Sequence, residues 1–599
     1  MRLVRLYTNE DAIFEPIDFH PGLNVVIGEI RQPENLDKDT HNLGKSTLGK
    51  LIDYCLLMRR DSRFFLYKHA ERFEGFDFYL EVMARPDRFV TIRRSVRSPK
   101  IYIHNHSSEV FDARALSNDE WLHPRLDFEK AKKLLDGILS FEDLRPWSYR
   151  KILPYLLREQ SDYTDVFEPH EFRSGSDSQW KPFTLHVMGY DYAPFQEYYD
   201  SEQEKADVER RCAECASSLP DGVGNLARID ALLDAMVRDA ENKREVLDRF
   251  SFNLQDSEAV DELVDDEGID AQIAELNQRR YELKTDVAKL TESLQREQIG
   301  YRDADAARLF EEVGIYFEGQ VRKDFQQLLE FNRAITSERK RYLRKDLEEV
   351  RARLCEVDRL LAELDSERSR RLRQIETSNA VEKYKEQSQN LVRIQTEIGV
   401  WETRRENAQL LEDTRQELNE IEQRMLVLAK EMRKAVTDAI RRDSESLFLE
   451  IRRRFSDIVK DVLNKYGVLT VTVNTDNHAD FAAGFQGDGD AMTSEDEGDT
   501  YKKLLCIAFD LAILGAHGCD GFPSFVYHDD VFGSLDLRKK MKLLDVMRAY
   551  ADEGVQQIVT TIDSDLPISE AGAFIAPDEI VLRLHDGGES GLLFKMPSW

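Results

Sequence analysis

The spacing of apolar residues changes twice along this chain and divides it into three parts. In the first two hundred residues, short apolar runs rich in β-branched and aromatic residues predict strands, and one of them leads into an amphipathic stretch that predicts a helix. The strand-like runs are MRLVRLY, NVVIG, FDFYLEVMA, FVTIRRSV and IYIHN, and the helix-like stretch is STLGKLIDYCLLMRR. Strands alternating with helices predict a mixed sheet with helices packed against it.

The middle of the chain carries a repeat of four and three residues. The apolar positions form three series: Ile273, Leu276, Leu283, Val287, Leu290 and Leu294; then Leu343, Leu347, Val350, Leu354, Val357, Leu361 and Leu364; then Leu411, Leu418, Ile421, Met425, Leu428 and Met432. Arg280 takes one slot, and the slot at position 414 is also polar. Such a narrow stripe is buried only against another helix, so a coiled coil is favoured over amphipathic helices of a globular domain. A break near 300–320 predicts the turn at its tip, and SNAVEKY near Ser378 marks another interruption.

After about Arg452 the pattern is globular again. The runs VLTVTVNT and GLLFKM predict strands, KKLLCIAFDLAILGA predicts a buried helix, and FPSFVYHDD predicts a core strand that ends in a loop. The expected organisation is therefore an N-terminal globular part over 1–199, a helical arm over 200–451 and a C-terminal globular part over 452–599.

Composition narrows the class of protein. Of 599 residues, 33% are charged and only six are cysteine, which suits long solvated helices in a reducing, cytoplasmic compartment. The first residues do not form a secretory signal, and no apolar run of about 18 residues predicts a membrane span. Cys212 and Cys215 have ligand-like spacing, but no second Cys/His pair stands nearby, so we expect ordinary helix cysteines.

The net charge of −31 argues against a basic nucleic-acid-binding domain. Two short basic runs remain as possible phosphate contacts: RRSVRSPK, which ends at Lys100, and IRRRF around Arg453. A short charged run is more often a solvated face.

Gly44, Lys45, Ser46 and Thr47 stand at the start of the predicted helix. In a P-loop, backbone N–H groups cradle phosphates, the lysine reaches the β- and γ-phosphates and the hydroxyl binds Mg²⁺. The opening glycine would normally stand five residues before Gly44. Gly28, after the strand NVVIG, is the only candidate, and an insertion separates the two.

A second motif lies nearly five hundred residues away. SFVYHDDVFGSLD predicts a buried strand that ends in Asp529 and Asp530, followed by a loop that ends at Asp536. Asp529 at the end of a strand suits Mg²⁺ binding, and Asp530 would orient or deprotonate an attacking water.

The order of these motifs around the heptad segment resembles the SMC, RecF, RecN and SbcC branch of ABC-type ATPases. The resemblance covers both globular ends by motif and the middle by architecture. It is closest to bacterial SMC-like ATPases of phage-defence gene clusters. It implies an α/β ATPase head assembled from N- and C-terminal lobes, with an inserted antiparallel coiled-coil arm.

The resemblance also implies roles for particular residues. Gln160 would be the glutamine that senses Mg²⁺ and the γ-phosphate, Asp529 the Walker B acid, Asp530 the base in place of the usual Glu, and Asp536 part of the D-loop. Gly498 and Thr500 stand where the signature motif is expected, and Ile562 where a histidine is expected. ATP and Mg²⁺ would be held by Gly28, Asn42, Gly44, Lys45, Ser46 and Thr47 with Gln160 and Asp529.

Two kinds of output remain open. The first is a slow ATPase, stimulated by DNA or a partner, whose homodimer of ATP-engaged heads senses or processes DNA in anti-phage defence or repair. A nuclease-like accessory or effector protein is an expected partner, and no membrane contact is expected. The second is a regulatory scaffold that holds or releases a protein effector with little DNA contact. A third alternative, a structural coiled-coil protein, predicts that GKST and the acid pair do not meet.

Overall fold

The computed structural model divides the chain into two compact units. It describes residues 1–32, 43–107, 111–170, 172, 175–217, 219, 225–248, 266–299, 319–373, 379–441, 446–486, 498–566, 568–569, 572–573 and 575–597. Unit 1 comprises Met1–Glu204 and Ile421–Trp599, and unit 2 comprises Lys205–Glu420. The predicted tip near 300–320 falls almost entirely outside the described residues, as do the interruption near Ser378 and Asn42.

The N-terminal two hundred residues supply both strands and helices, as the apolar runs predict. The elements are β1 (Arg2–Thr8), β2 (Ile17–Asp18), β3 (Leu23–Glu29), α1 (Lys45–Cys55), α2 (Phe65–Lys68), α3 (Ala70–Phe73), β4 (Asp77–Arg85), β5 (Arg88–Ser95), β6 (Ile101–His106), β7 (His123–Leu126), α4 (Phe128–Leu139), α5 (Leu153–Leu156), β8 (Leu157–Arg158) and α6 (Asp177–Val187). An antiparallel sheet among them has the order β2-β1-β4-β5-β6-β7.

The middle of the chain is helical, as the repeat predicts. Its helices are α7 (Ala193–Ser217), α8 (Leu226–Asp248), α9 (Asp266–Ile299), α10 (Gly319–Arg373) and α11 (Asn379–Ala439). None of the described helices is both long enough and apolar enough to cross a membrane.

The polar residues within the heptad series have partners inside unit 2. Arg280 of α9 forms an ion pair with Asp358 of α10 at 2.8 Å. The buried Thr414 of α11 donates its hydroxyl to the carbonyl of Leu410 at 2.6 Å. The two polar residues thus have an ion-pair partner and a hydrogen-bond partner, respectively, in a unit whose apolar stripe includes Ile273 and Leu361.

The C-terminal part completes unit 1. Its elements are α12 (Leu447–Leu463), β9 (Tyr466–Val473), β10 (Ala479–Gln486), α13 (Asp499–His517), β11 (Phe525–His528), α14 (Leu537–Asp552), β12 (Gln556–Ile562), β13 (Ile568–Ser569), β14 (Gly572–Ala573) and β15 (Ile580–His585). The strand predicted at GLLFKM is absent: a short 3₁₀ turn over Glu589–Gly591 precedes Leu592, and residues 592–596 are irregular.

A second sheet of unit 1 interleaves strands from both ends of the sequence. Its order is β15-β3-β12-β11-β8, and every neighbouring pair is parallel. The two N-terminal strands, β3 and β8, are therefore separated by β12 and β11 from the C-terminal part. Neither end of the chain can complete this sheet without the other.

Side-chain hydrogen bonds reinforce the joint between the two ends. The buried amide of Gln556 accepts the N–H of Leu3 at 2.7 Å and donates to the Leu3 carbonyl at 2.8 Å. Asn24 of β3 donates to the carbonyl of Gln557 at 3.2 Å. A buried polar group without a partner costs about 1–3 kcal/mol, so these amides are stabilising only when both ends are present.

We predict that the two segments of unit 1 fold only together. Residues 1–204 and 421–599, produced as separate chains in one cell, should co-purify as a folded complex, because each supplies strands that the other needs. Either segment alone should be insoluble or lack a cooperative unfolding transition. A cooperative transition of the 1–204 segment by itself, followed by circular dichroism, would contradict the interleaved sheet.

Candidate functional site

The GKST segment forms the N-terminus of a helix in unit 1. Helix α1 begins at Lys45, and Gly44 before it has a φ of 101°, a left-handed conformation that favours glycine. A Cβ at Gly44 would lie 2.6 Å from the Cβ of Leu593, so glycine is also required for close packing. The Leu593 N–H donates to the carbonyl of Leu43 at 3.1 Å. The irregular segment over 592–596 thus packs against the residues just before α1 and forms a hydrogen bond with them.

Lys45 is a buried cation, only 6% exposed. Its side chain lies beside Gly28 of β3, where a Cβ would be 3.2 Å from Lys45 Cδ and 3.3 Å from Nζ. Burial lowers the pKa of Lys45, and the charges of Asp529, Asp530, Asp565 and Asp563 partly oppose that shift. Gly28 therefore leaves room for the lysine side chain, which lies among acidic residues.

Ser46 and Asp529 meet although 483 positions separate them. The Ser46 hydroxyl donates to Asp529 Oδ2 at 2.5 Å. Asp529 follows directly after β11 and is fully buried. Its other carboxylate oxygen accepts the hydroxyl of Thr560 at 2.5 Å, and its carbonyl accepts the hydroxyl of Tyr163 at 2.9 Å. Both oxygens of the carboxylate thus accept hydrogen bonds at the carboxyl-terminal end of β11.

Asp530 lies beside this pair in a strained position. Its φ is 55°, and its N–H donates to the Thr560 hydroxyl at 2.9 Å. Its carboxylate accepts Lys503 Nζ at 2.9 Å, and its carbonyl accepts the same amine at 2.7 Å. A Cβ at Gly533 would lie 2.5 Å from Asp530 Oδ2. The candidate base is therefore engaged in an ion pair in this structure.

Gln160 is the predicted sensor, but its neighbour Glu159 is the residue whose pKa is affected by the charges of nearby acids. Gln160 opens a short 3₁₀ helix after β8, and its side chain is exposed. Burial raises the pKa of Glu159, the Lys50 charge lowers it, and Asp162 and Asp529 raise it further. Lys50 Nζ lies 3.5 Å from the Glu159 carboxylate. The carboxyl group of Glu159, which the motif comparison passed over, is thus electrostatically coupled to Asp529.

The remaining predicted residues lie on α1, α13, α14 and β12 or directly before them. Gly498 is exposed and precedes the first residue of α13, and Thr500 is half-buried in its first turn. Thr47 is half-buried in α1. Asp536 caps α14: its carboxylate accepts the N–H of Lys539 at 3.1 Å, the contact that most lowers its pKa. Ile562 ends β12 opposite Gly28.

A fully buried polar cluster lies behind Asp529. Arg158 of β8 donates to both carboxylate oxygens of Asp510 of α13, at 2.6 and 3.0 Å. His528 Nε2 lies 3.1 Å from Asp510 Oδ2. The Asp529 N–H donates to the Arg158 carbonyl at 3.1 Å. One carboxylate therefore links β8, β11 and α13 next to the site.

The two basic runs have internal partners. Arg94 is buried and donates to the carbonyl of Met58 at 2.9 Å, and Lys100 pairs with Asp127 at 2.5 Å. Arg453 pairs with Glu450 at 2.6 Å, and Arg454 pairs with Glu553 at 2.6 Å. These four cations are thus already neutralised or hydrogen-bonded within the chain.

Sequence motifs alone miss three groups in the site: Glu159, Lys503 and Thr560. Thr560 had a usable signal, because QQIVTT is a strand and a neighbouring parallel strand ends at the same edge as β11. No sequence signal indicated Lys503, because a lysine one turn into a helix is ordinarily a solvated residue.

The donor set fits a magnesium-bound polyphosphate. An amine, a hydroxyl, a helix N-terminus and a carboxylate converge, and these groups bind phosphate oxygens and Mg²⁺. The surrounding carboxylates would repel a bare polyanion, so the fit requires the divalent cation. Among the described residues, no group of three or more His, Cys, Asp or Glu forms a metal site without such a ligand. Cys212 and Cys215 lie in α7 and form no disulfide.

One family model matches the C-terminal part of the chain, and solved structures of similar fold are found. A family model described as an uncharacterised protein conserved in bacteria (DUF2326) matches residues 458–598. The curated proteins contain no match. Among solved structures, the chain is similar to the Smc head domain with a coiled coil and joint from Pyrococcus yayanosii, at 14% identity and a TM-score of 0.33, over 94% of this chain and 92% of that one.

It is also similar to the Smc head domain with an extended coiled coil bound to the C-terminal domain of ScpA from Pyrococcus furiosus. That likeness has 11% identity and a TM-score of 0.32, over 94% of this chain and 90% of that one. Both TM-scores are low, and neither likeness bears on the site.

We predict that Thr560→Val destabilises unit 1 by about 1–3 kcal/mol, because it leaves Asp529 Oδ1 and the Asp530 N–H each without the hydrogen bond that Thr560 supplies. Thr561→Val is the matched control, since the Thr561 hydroxyl contacts only the neighbouring carbonyl of Ile562, at 3.3 Å. Urea unfolding measures the free energy of unfolding of both variants. Equal losses in the two variants would contradict the special role of Thr560.

Proposed function

We propose that this chain is an SMC-like ATPase that hydrolyses ATP to ADP and phosphate. Its unit 1 would act as an ATP-binding head, and two heads would dimerise around ATP. The observation that carries the proposal is the contact between Ser46 and Asp529 at 2.5 Å beside the buried Lys45. A structural coiled-coil protein has no need to bring these groups together from opposite ends of its sequence.

Each side chain has a defined task in this proposal. Lys45 binds the β- and γ-phosphates, and Ser46 with Asp529 holds Mg²⁺, which neutralises phosphate charge and orients the triphosphate. Asp530 accepts the proton of the attacking water. Gln160 or its neighbour Glu159 contacts this centre from the end of β8. Gly498 and Thr500 supply the helix N-terminus that binds the triphosphate held by the second head.

We predict that Lys45→Ala reduces ATP binding below detection, because it removes the buried lysine amine that lies beside Gly28 at the start of α1. Isothermal titration with ATP and Mg²⁺ measures the affinity. Lys68→Ala, an exposed lysine on α2, is the control and should bind as the unmodified chain does. Unchanged affinity of Lys45→Ala would place the nucleotide elsewhere.

We predict that Asp530→Ala gives a long-lived ATP-bound dimer, because binding groups remain while the proton acceptor is lost. Light scattering after addition of ATP and Mg²⁺ should show a dimer that persists, whereas the unmodified chain returns to monomer. Asp552→Ala, an exposed acid at the end of α14, should behave as the unmodified chain. Hydrolysis at the normal rate by Asp530→Ala would remove Asp530 from this role.

The output of the cycle is proposed to be DNA sensing or processing, in anti-phage defence or DNA repair, with a nuclease-like effector. A regulatory scaffold that holds a protein effector is the second candidate, and the ion pairs of Lys100 and Arg453 together with the charge of −31 favour it.

Salt dependence separates the two outputs. Phosphate contacts release counterions, so DNA binding by the ATP-bound Asp530→Ala dimer should fall steeply between about 50 and 200 mM salt. Absence of binding at low salt would favour the scaffold.

A further inference from the structure

Lys503 forms an ion pair with Asp530, the residue that the proposed reaction needs as its base. Its Nζ lies 2.9 Å from Asp530 Oδ2 and 2.7 Å from the Asp530 carbonyl. The same amine lies 5.6 Å from the centre of the Tyr163 ring, whose hydroxyl binds the Asp529 carbonyl. Only 14% of the Lys503 side chain is exposed. The lysine therefore contacts both the carboxylate and the backbone of Asp530.

An ion pair of this kind opposes proton transfer to Asp530. A charge-assisted hydrogen bond of this kind is strong, so the amine holds the carboxylate oxygen that a water would otherwise contact. The pair also fixes the carboxylate orientation, since Oδ2 is wedged against Gly533. A water that attacks phosphate needs the same carboxylate within hydrogen-bond reach. Lys503 and a catalytic water thus compete for one group.

The position of Lys503 on α13 connects this competition to a second head. Gly498 precedes the helix, Thr500 lies in its first turn, and Lys503 follows three residues later on the same face. Phosphate bound at this helix end carries more negative charge than a single carboxylate. An approaching triphosphate would therefore attract the Lys503 amine away from Asp530.

We propose that Lys503 is a positioning residue that inhibits hydrolysis in the isolated head and is withdrawn when a second head brings its ATP to the start of α13. This inference rests on the proposed function and adds a regulation to the same site. Withdrawal of the amine frees Asp530 of one head at the moment when that head becomes part of a dimer. Hydrolysis is thereby restricted to engaged heads by a single ion pair.

The test is the ATPase rate at protein concentrations that range from monomer to dimer. For Lys503→Ala, kcat of the dilute, monomeric chain should rise about tenfold, a fraction of the 10²–10⁴-fold that general-base catalysis supplies. KM for ATP should not change, because Lys503 does not bind the nucleotide of its own head. The rate of the variant should also depend less on protein concentration.

Three further variants make the test specific. Lys503→Arg retains the cation and should keep the low monomer rate. Lys502→Ala removes the neighbouring lysine of the same helix and should leave kcat unchanged. Thermal unfolding of each variant shows whether the head remains folded, and Lys503→Met preserves the aliphatic packing if the alanine variant unfolds.

The outcomes separate this inference from the proposed function. Lys503→Ala/Asp530→Asn should be inactive at every concentration, because the freed base is absent. An unchanged or lowered monomer kcat in Lys503→Ala and Lys503→Met would overturn the inhibitory role while leaving the ATPase intact. If Asp530→Asn alone hydrolyses ATP at the normal rate, the role of Asp530 in the proposed function fails instead.

Discussion

The structure depends on the pairing of β3 with β12, which joins the two ends of the sequence. In a parallel sheet all carboxyl ends lie at one edge, and ligands bind in the crevice outside that edge. Because β3, β12, β11 and β8 are neighbours, the segments that follow them converge there. Those segments carry Lys45, Asp529 and Glu159, and Thr560 lies near the end of β12 itself. The site is thus a consequence of strand order.

Charge balance is the second constraint on this edge. Lys45 is buried among carboxylates that follow β11 and β12, and its pKa is lowered by burial despite their opposing effect. Asp529 is satisfied by hydroxyl groups, whereas Asp530 is paired with Lys503. Each acid in the site therefore has a different partner. That difference suits separate roles, one in holding a cation and one in handling a proton.

The two units bury polar groups in different ways. In unit 2 the buried Thr414 of the heptad stripe makes a local contact, the hydrogen bond to the preceding turn of its own helix. In unit 1 Arg158, Asp510 and His528 come from three different elements and form one buried cluster. Breaking a buried pair by removing one partner typically costs 3–5 kcal/mol. The cluster consequently fixes β8, β11 and α13 together beside Asp529.

The sequence by itself determined the local features: the short apolar runs of the ends, the heptad repeat of the middle, the GKST helix start and the strand before Asp529. Each depends on residues close together in the chain. Only the tertiary structure decided which strands become neighbours, and therefore that Ser46 meets Asp529 and that Lys503 pairs with Asp530. It also showed that Arg94, Lys100, Arg453 and Arg454 of the basic runs have partners within the chain and that GLLFKM is not a strand. Contacts across hundreds of residues leave no local pattern, because strand order and packing, not spacing, create them.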